Sequence, residues 1–295
     1  MSAILQRLQK EILVRNGAIG TMVKEKGAEL GGCIGQWITD HPEPFQRLLQ
    51  DYFQAGCHIC GGGTSGLNRF RLEKFGLQNK VRELNRQIMR LACAVKPRDG
   101  FIPGTIGPTG KFLKPAGDLS FEQALEAFSE QAEALAEGGA DMIAIDTMYD
   151  LEEAVAALRA AKSTTRLPVL VSFAFQPDPK GFHTMMGLSP EAAAIRLEQE
   201  GADIVGANCG GVSPEQMTSV VELMKKNCSK PICAKPNAGS PQVVEGKEVY
   251  RASPEHLAER VPDWIKAGAQ MVSGCCGTTP EHLQRMADRV KTLQA

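Results

Sequence analysis

Four times along the chain, a helix-like segment ends in glycine, a small or polar pair follows, and a short apolar run comes next. The copies are QAGCHICGGG from Gln54, EGGADMIAID from Glu137, QEGADIVGAN from Gln199 and KAGAQMVSGC from Lys266. The glycines Gly56, Gly139, Gly201 and Gly268 suit the left-handed residue that stops a helix, and the apolar run after each reads as a buried parallel strand. Between the copies lie further apolar runs, GFIPGTIG from Gly100, LPVLVSFAF from Leu167 and KPICAKP from Lys230, and VRNGAIG from Val14 precedes them all. The intervening stretches have helical grammar. In SFEQALEAFSEQAEALAEGG, Ser120 and Gln123 have capping-box spacing and Phe121, Leu125, Phe128, Ala132 and Leu135 share a face. SPEAAAIRLEQEG, SPEQMTSVVELMKKN, SPEHLAERVPDWIKAG and TPEHLQRMADRVKTL each open with a hydroxyl cap and a proline at the first helical position. Eight strands alternating with helices through right-handed crossovers predict an α/β (β/α)8 TIM barrel, one domain over residues 1–295. An open doubly wound sheet is the alternative, because periodicity does not show closure.

Composition narrows the functional classes. Lys and Arg number 33 against 34 Asp and Glu, a net charge of −1, and no basic run is present. No electrostatic footprint for nucleic acid or an anionic membrane follows from this. The N-terminal stretch lacks the apolar core of a signal peptide, no apolar run is long enough to span a bilayer, and nine cysteines are an odd number. The expectation is a cytoplasmic protein with reduced thiols.

In a barrel, chemistry gathers where strands end. Those ends carry Asn16-Gly17, Gly61-Gly62-Gly63, Gly104-Thr105, Asp146-Thr147, Phe173, Asn208-Cys209, Lys235-Pro236-Asn237 and Gly274-Cys275-Cys276. Cys209 and the vicinal Cys275-Cys276 pair lie two strands apart on one rim. Three converging thiolates would leave a tetrahedral zinc ion one open position, as catalytic zinc sites require. Buried cysteines also serve as small hydrophobic residues, and the spacing fits no zinc-ribbon pattern.

SGCCGTTPEHL from Ser273, Cys209 within GANCGGVSP and CAKPNAGSP from Cys233 together resemble the homocysteine S-methyltransferase family. RNGAIGTMV from Arg15 and GTIGPTGKFLKPAGDLSFEQ from Gly104 are most similar to the homocysteine-binding domain of cobalamin-dependent methionine synthase. The likeness covers essentially the whole chain. It implies Zn2+ held by Cys209, Cys275 and Cys276, and a thiol substrate that takes the fourth position as a thiolate. Free thiols are mostly protonated at neutral pH, whereas a coordinated one is not. The resemblance gives Asn237 as the occupant of that position until the thiol arrives; Asn237 is equally suited to a turn. It also implies methylcobalamin as donor, supplied by a separate corrinoid protein, because no cobalamin or folate domain is recognisable.

At the amino-acid end of the site the sequence departs from the family. Asn16, next to Gly17, stands for an Asp, the triglycine for a Glu-Thr-Asn run, and Asp146 for a Glu. Asp146 is then the remaining partner for a substrate ammonium group, or else a helix cap. The triglycine widens the pocket or lets a backbone approach closely. Cys57 and Cys60, in a C-x-x-C, are expected in the core; Cys33, Cys93, Cys228 and Cys233 have no convergent partner and are expected to be buried or incidental. His58, His256 and His282 have structural positions; His183, with Met185 and Met186, is placed at the mouth. The leading function is zinc-dependent methylation of homocysteine or a related thiol. The alternatives are a small sulfonium donor, transfer from a methylated substrate to a corrinoid, and a thiol-binding subunit without turnover.

Overall fold

The computed structural model describes residues 2–29, 31–244 and 247–294, and the side chains of 243–248 are left undescribed. Seven parallel strands form one curled sheet in the order Leu13–Val14, Ala269–Val272, Ile232–Lys235, Ile204–Asn208, Val169–Phe173, Met142–Met148 and Pro103–Ile106. Its two edges do not stay open. Ile59 bridges in parallel to Arg15 on one side and to Phe101 on the other. The peptide of Asn16 donates to the Ile59 carbonyl at 2.8 Å, and Cys60 donates to that of Phe101 at 3.0 Å. The eighth expected strand is therefore present as a single bridging residue, and the sheet closes into a barrel wrapped by helices. The strand is this short because the chain turns at once into Gly62 and Gly63, whose φ of 137° and 82° leave the β region.

The helix ends follow the sequence. Gly56, Gly139, Gly201 and Gly268 have φ of 91°, 102°, 86° and 114°. Ser120 accepts from the Gln123 peptide at 3.2 Å while the Gln123 side chain accepts from the Ser120 peptide at 2.9 Å, closing the predicted capping box. Ser189 and Ser253 cap the helices Pro190–Gln199 and Pro254–Ala267. Ser213 and Gln216 exchange the same reciprocal bonds, although regular helix begins only at Gln216.

Inside the barrel, Leu13, Ile59, Met142, Ala144, Leu170, Ile204, Cys233 and Met271 meet Ile4 and Leu8 of the short helix Ala3–Leu8. Burial of each such aliphatic side chain contributes roughly 1.5–3 kcal/mol. This apolar layer closes the lower end and leaves access from the strand C-termini. Two antiparallel pairs, Gln176–Asp178 with Gly181–His183 and Gln242–Val244 with Lys247–Val249, extend from the loops. Among the described residues, no helix is long and apolar enough to cross a membrane.

Candidate active site

Three loops bring sulfur together at the open end. The Sγ atoms of Cys209, Cys275 and Cys276 all lie within 4.8 Å of one another, with Cys209 and Cys276 at 3.9 Å. Cys209 follows its strand in a left-handed conformation, φ 56°, which a non-glycine residue adopts at a cost of about 1 kcal/mol or more. Backbone bonds fix the cysteine loops to the neighbouring strand end: Cys209 N donates to Lys235 O at 3.2 Å and Cys275 N to Pro236 O at 2.7 Å. Asn237 ties the two loops together. Its amide nitrogen donates to Gly210 O, and its oxygen accepts from Cys276 N, each at 3.1 Å. The structure thus places Asn237 beside the sulfurs with its amide engaged by backbone.

Crowding separates the three thiols in acidity. Hydrogen bonds from Cys209 and Cys276, together with the charge of Lys235 and the amide of Asn208, pull Cys275 well below the usual thiol range against the effect of its burial. Cys209 is driven up by its two sulfur neighbours and by burial. For Cys276 the hydrogen bond from Cys209 favours the thiolate, but Cys275 and burial prevail and push it up to about 11. Thiolate character is thus favoured at Cys275, the sulfur that the Lys235 charge and the Asn208 amide act on. Three soft donors at this separation fit a tetrahedral metal with one position open.

Below the sulfurs lies a polar layer one step up from the apolar floor. Arg15 donates from its two terminal nitrogens to the two oxygens of Asp146 at 3.1 and 2.7 Å. Lys235 Nζ approaches the second oxygen at 2.8 Å, and Ser172 Oγ lies 3.0 Å from the first. Burial alone would raise the Asp146 carboxyl, yet the two cations and their hydrogen bonds hold it far below the ordinary carboxylate range. Asn208 links this layer to the cysteines. Its amide oxygen lies 2.6 Å from Ser172 Oγ, and its nitrogen donates to Thr147 Oγ1 at 2.8 Å and towards Cys275 Sγ at 3.7 Å. Thr147 is the second non-glycine residue with positive φ, 65°.

A cleft of 770 Å³ opens above this layer, lined by Arg15, Asn16, Gly17, Asp146, Lys235, Cys275 and Cys276 among others. Asn16 is buried, with its amide nitrogen donating to Gly17 O at 2.8 Å and its oxygen accepting from Gly61 N at 3.1 Å. Gly17 has no space for a side chain, since a Cβ there would lie 2.7 Å from Leu283. The triglycine lines the cleft without widening it. A Cβ at Gly61 would meet Pro103 at 2.8 Å, one at Gly62 would meet Ile19 at 2.8 Å, and one at Gly63 would meet Ile38 at 2.5 Å. Close backbone packing is what these glycines permit. Asp150 caps the helix Leu151–Thr164, which leaves Asp146 entirely to its cationic partners.

The other sequence candidates take the positions expected of structural residues, with one exception. Cys57 and Cys60 share the core, and Cys233 lies inside the barrel, its thiol pushed up to about 12 by burial. His58 accepts from Val14 N, His282 bridges Thr279 and Ala252, and His256 pairs with Glu215 on the surface. Met185 lines the cleft as expected. His183 does not; its ring is held by Asp178 at 2.7 Å across the hairpin.

The sequence model of the homocysteine S-methyltransferase family matches residues 13–290. The methionine synthase of Mycobacterium leprae (strain TN) is 28% identical over 305 residues, spanning 97% of this chain and 25% of that protein. The methionine synthase of Mycobacterium tuberculosis (strain ATCC 25618 / H37Rv) is 27% identical over 309 residues, spanning 99% and 26%. The chain thus spans about a quarter of the length of these relatives. The metallated form of the homocysteine methyltransferase MmuM from Escherichia coli has the same fold, with a TM-score of 0.79 at 21% identity, over 97% of this chain and 99% of that one.

Proposed function

The chain belongs to the homocysteine S-methyltransferase family, and we propose that it methylates homocysteine or a related thiol with a zinc ion held by Cys209, Cys275 and Cys276. The observation that carries this reading is the convergence of three sulfurs within 4.8 Å at the open end of a closed barrel. When bound, zinc supplies the acidity that makes a substrate thiol a thiolate at neutral pH. The protein provides placement. Asn237 holds the Cys209 and Cys276 loops in register, and Asn208 orients Cys275. The 770 Å³ cleft reaches Cys275 and Cys276 from the open end of the barrel. In the transfer, the thiol gives up its proton and its sulfur forms a bond to the methyl carbon. The donor departs with the electron pair of the bond that breaks.

The donor is assigned to a methyl-corrinoid, on the resemblance of the segments from Arg15 and Gly104 to the homocysteine-binding domain of cobalamin-dependent methionine synthase. A single-turnover assay with zinc-loaded protein and homocysteine tests this against a sulfonium donor. Loss of the methylcobalamin absorbance with formation of the thioether is the expected result. Turnover with S-methylmethionine alone would replace the donor, and no transfer from either would overturn the methyltransferase reading.

A further inference from the structure

The hydrogen-bonding inventory of the cleft floor is lopsided. A carboxylate offers about four acceptor positions. Those of Asp146 meet two nitrogens of Arg15 and Nζ of Lys235, while the single hydroxyl proton of Ser172 lies between Asp146 and the nearer Asn208 Oδ1. The amide oxygen of Asn16 is already engaged by Gly61 N. Donors, by contrast, are in surplus. Lys235 carries three ammonium protons and directs one to Asp146, while Arg15 Nε is buried without a partner. The charges are unequal in the same sense, with two buried cations facing one carboxylate. Further out, the exposed Arg71 and Lys74 line the same cleft, and Asp146 is the one carboxylate among its described lining residues.

Taking the thiol-activating reading above as its basis, we infer that the cleft selects a thiol whose far end is an acid group, a carboxylate or sulfonate, and that it offers no free carboxylate to a substrate ammonium group. Lys235 and Arg15 are the specificity-determining residues. An anionic oxygen beside them would receive the unused donors in a buried setting, where such charge-assisted bonds are strongest. An ammonium in the same place would meet two like charges, with no second carboxylate among the described residues lining the cleft to pair with it. Arg71 and Lys74 would draw an anionic thiol toward the mouth.

Titration calorimetry of the zinc-loaded protein tests the inference with a matched series: homocysteine, its desamino analogue, its decarboxylated analogue, mercaptopropanesulfonate and propanethiol. The desamino acid or the sulfonate is expected to bind more tightly than homocysteine and at least tenfold more tightly than the decarboxylated amine. Whichever of the two acids binds more tightly names the acid group. Lys235→Met, with zinc content measured on the same sample, should shrink the ratio of acid-thiol to propanethiol affinity at least fivefold. Homocysteine binding more tightly than both acids, or the amine binding as tightly as they do, would overturn the inference and leave thiol activation standing. Absence of binding by every thiol, propanethiol included, to protein that retains its zinc would overturn thiol activation itself.

Discussion

Replacing Asp146 by Asn keeps the shape of the side chain and removes the charge that offsets Arg15 and Lys235. The new amide also presents a nitrogen donor where three other donors now converge. The side chains of Arg15 and Asp146 are 3% and 4% exposed, and that of Lys235 is 12% exposed. Water therefore screens little of the imbalance. Removing one partner of a buried ion pair costs roughly 3–5 kcal/mol, and the route of Lys235 into the cleft favours the lower half of that range. An unfolding entropy near 2.1 cal/mol/K per residue gives about 0.6 kcal/mol/K for 295 residues, so Tm should fall by about 5–6 °C. Urea unfolding of wild type and Asp146→Asn, followed by circular dichroism from pH 7 downward, measures the difference directly. The folded carboxyl is held below its unfolded value, so the stability it contributes is present at neutral pH and is lost as protonation sets in on acidification. The gap between the two proteins should be constant above about pH 5 and narrow below about pH 4. A loss under about 1 kcal/mol, the scale of an exposed pair, or a gap that widens in acid, would refute the picture of a dry, charge-compensated floor.

Zinc stoichiometry by atomic absorption should fall from about one per chain in wild type to well below that in Cys209→Ser, Cys275→Ser and Cys276→Ser, and stay unchanged in Cys57→Ala and Cys60→Ala. Full retention in the first three would exclude the trio as the metal site. Asn237→Ala cuts the bridge between Gly210 O and Cys276 N, and should weaken zinc affinity by about 10–100-fold in a chelator competition, as loss of an outer-sphere support does. Thiol binding near pH 7 should release a proton, so calorimetric heats will vary with the ionisation enthalpy of the buffer; heats independent of buffer would show that the sulfur never becomes a thiolate.

Much of this architecture is legible in the sequence because the signals are local. A glycine adopts positive φ without strain where a helix stops and the chain turns into the next strand, so Gly56, Gly139, Gly201 and Gly268 mark the repeat. The cysteine trio is legible for a similar reason, since strand ends in a barrel share a rim. What was not legible is long-range. That the second strand is one residue, Ile59, depends on the packing of Gly61–Gly63 against Pro103, Ile19 and Ile38, none of them a sequence neighbour.

The cations of the cleft floor show how register carries information that motif reading passes over. Leu13, Leu170, Ile204 and Cys233 all point into the apolar floor. Side chains two positions on point the same way, and in these strands they are Arg15, Ser172, Gly206 and Lys235, with Asp146 two beyond the inward Ala144. Counting inward from the floor predicts a charged layer directly beneath the cysteines, and the hydrogen bonds among Arg15, Asp146, Ser172 and Lys235 are that layer. Aligning the family's motif at Asn16 and Asp146 draws attention to missing carboxylates, whereas the same register counts two added cations. The second count decides the chemistry of the site. A carboxylate already bonded by three cationic N–H groups is committed to Arg15 and Lys235, so lengthening Asp146 to Glu would disturb those two before it reached any ligand.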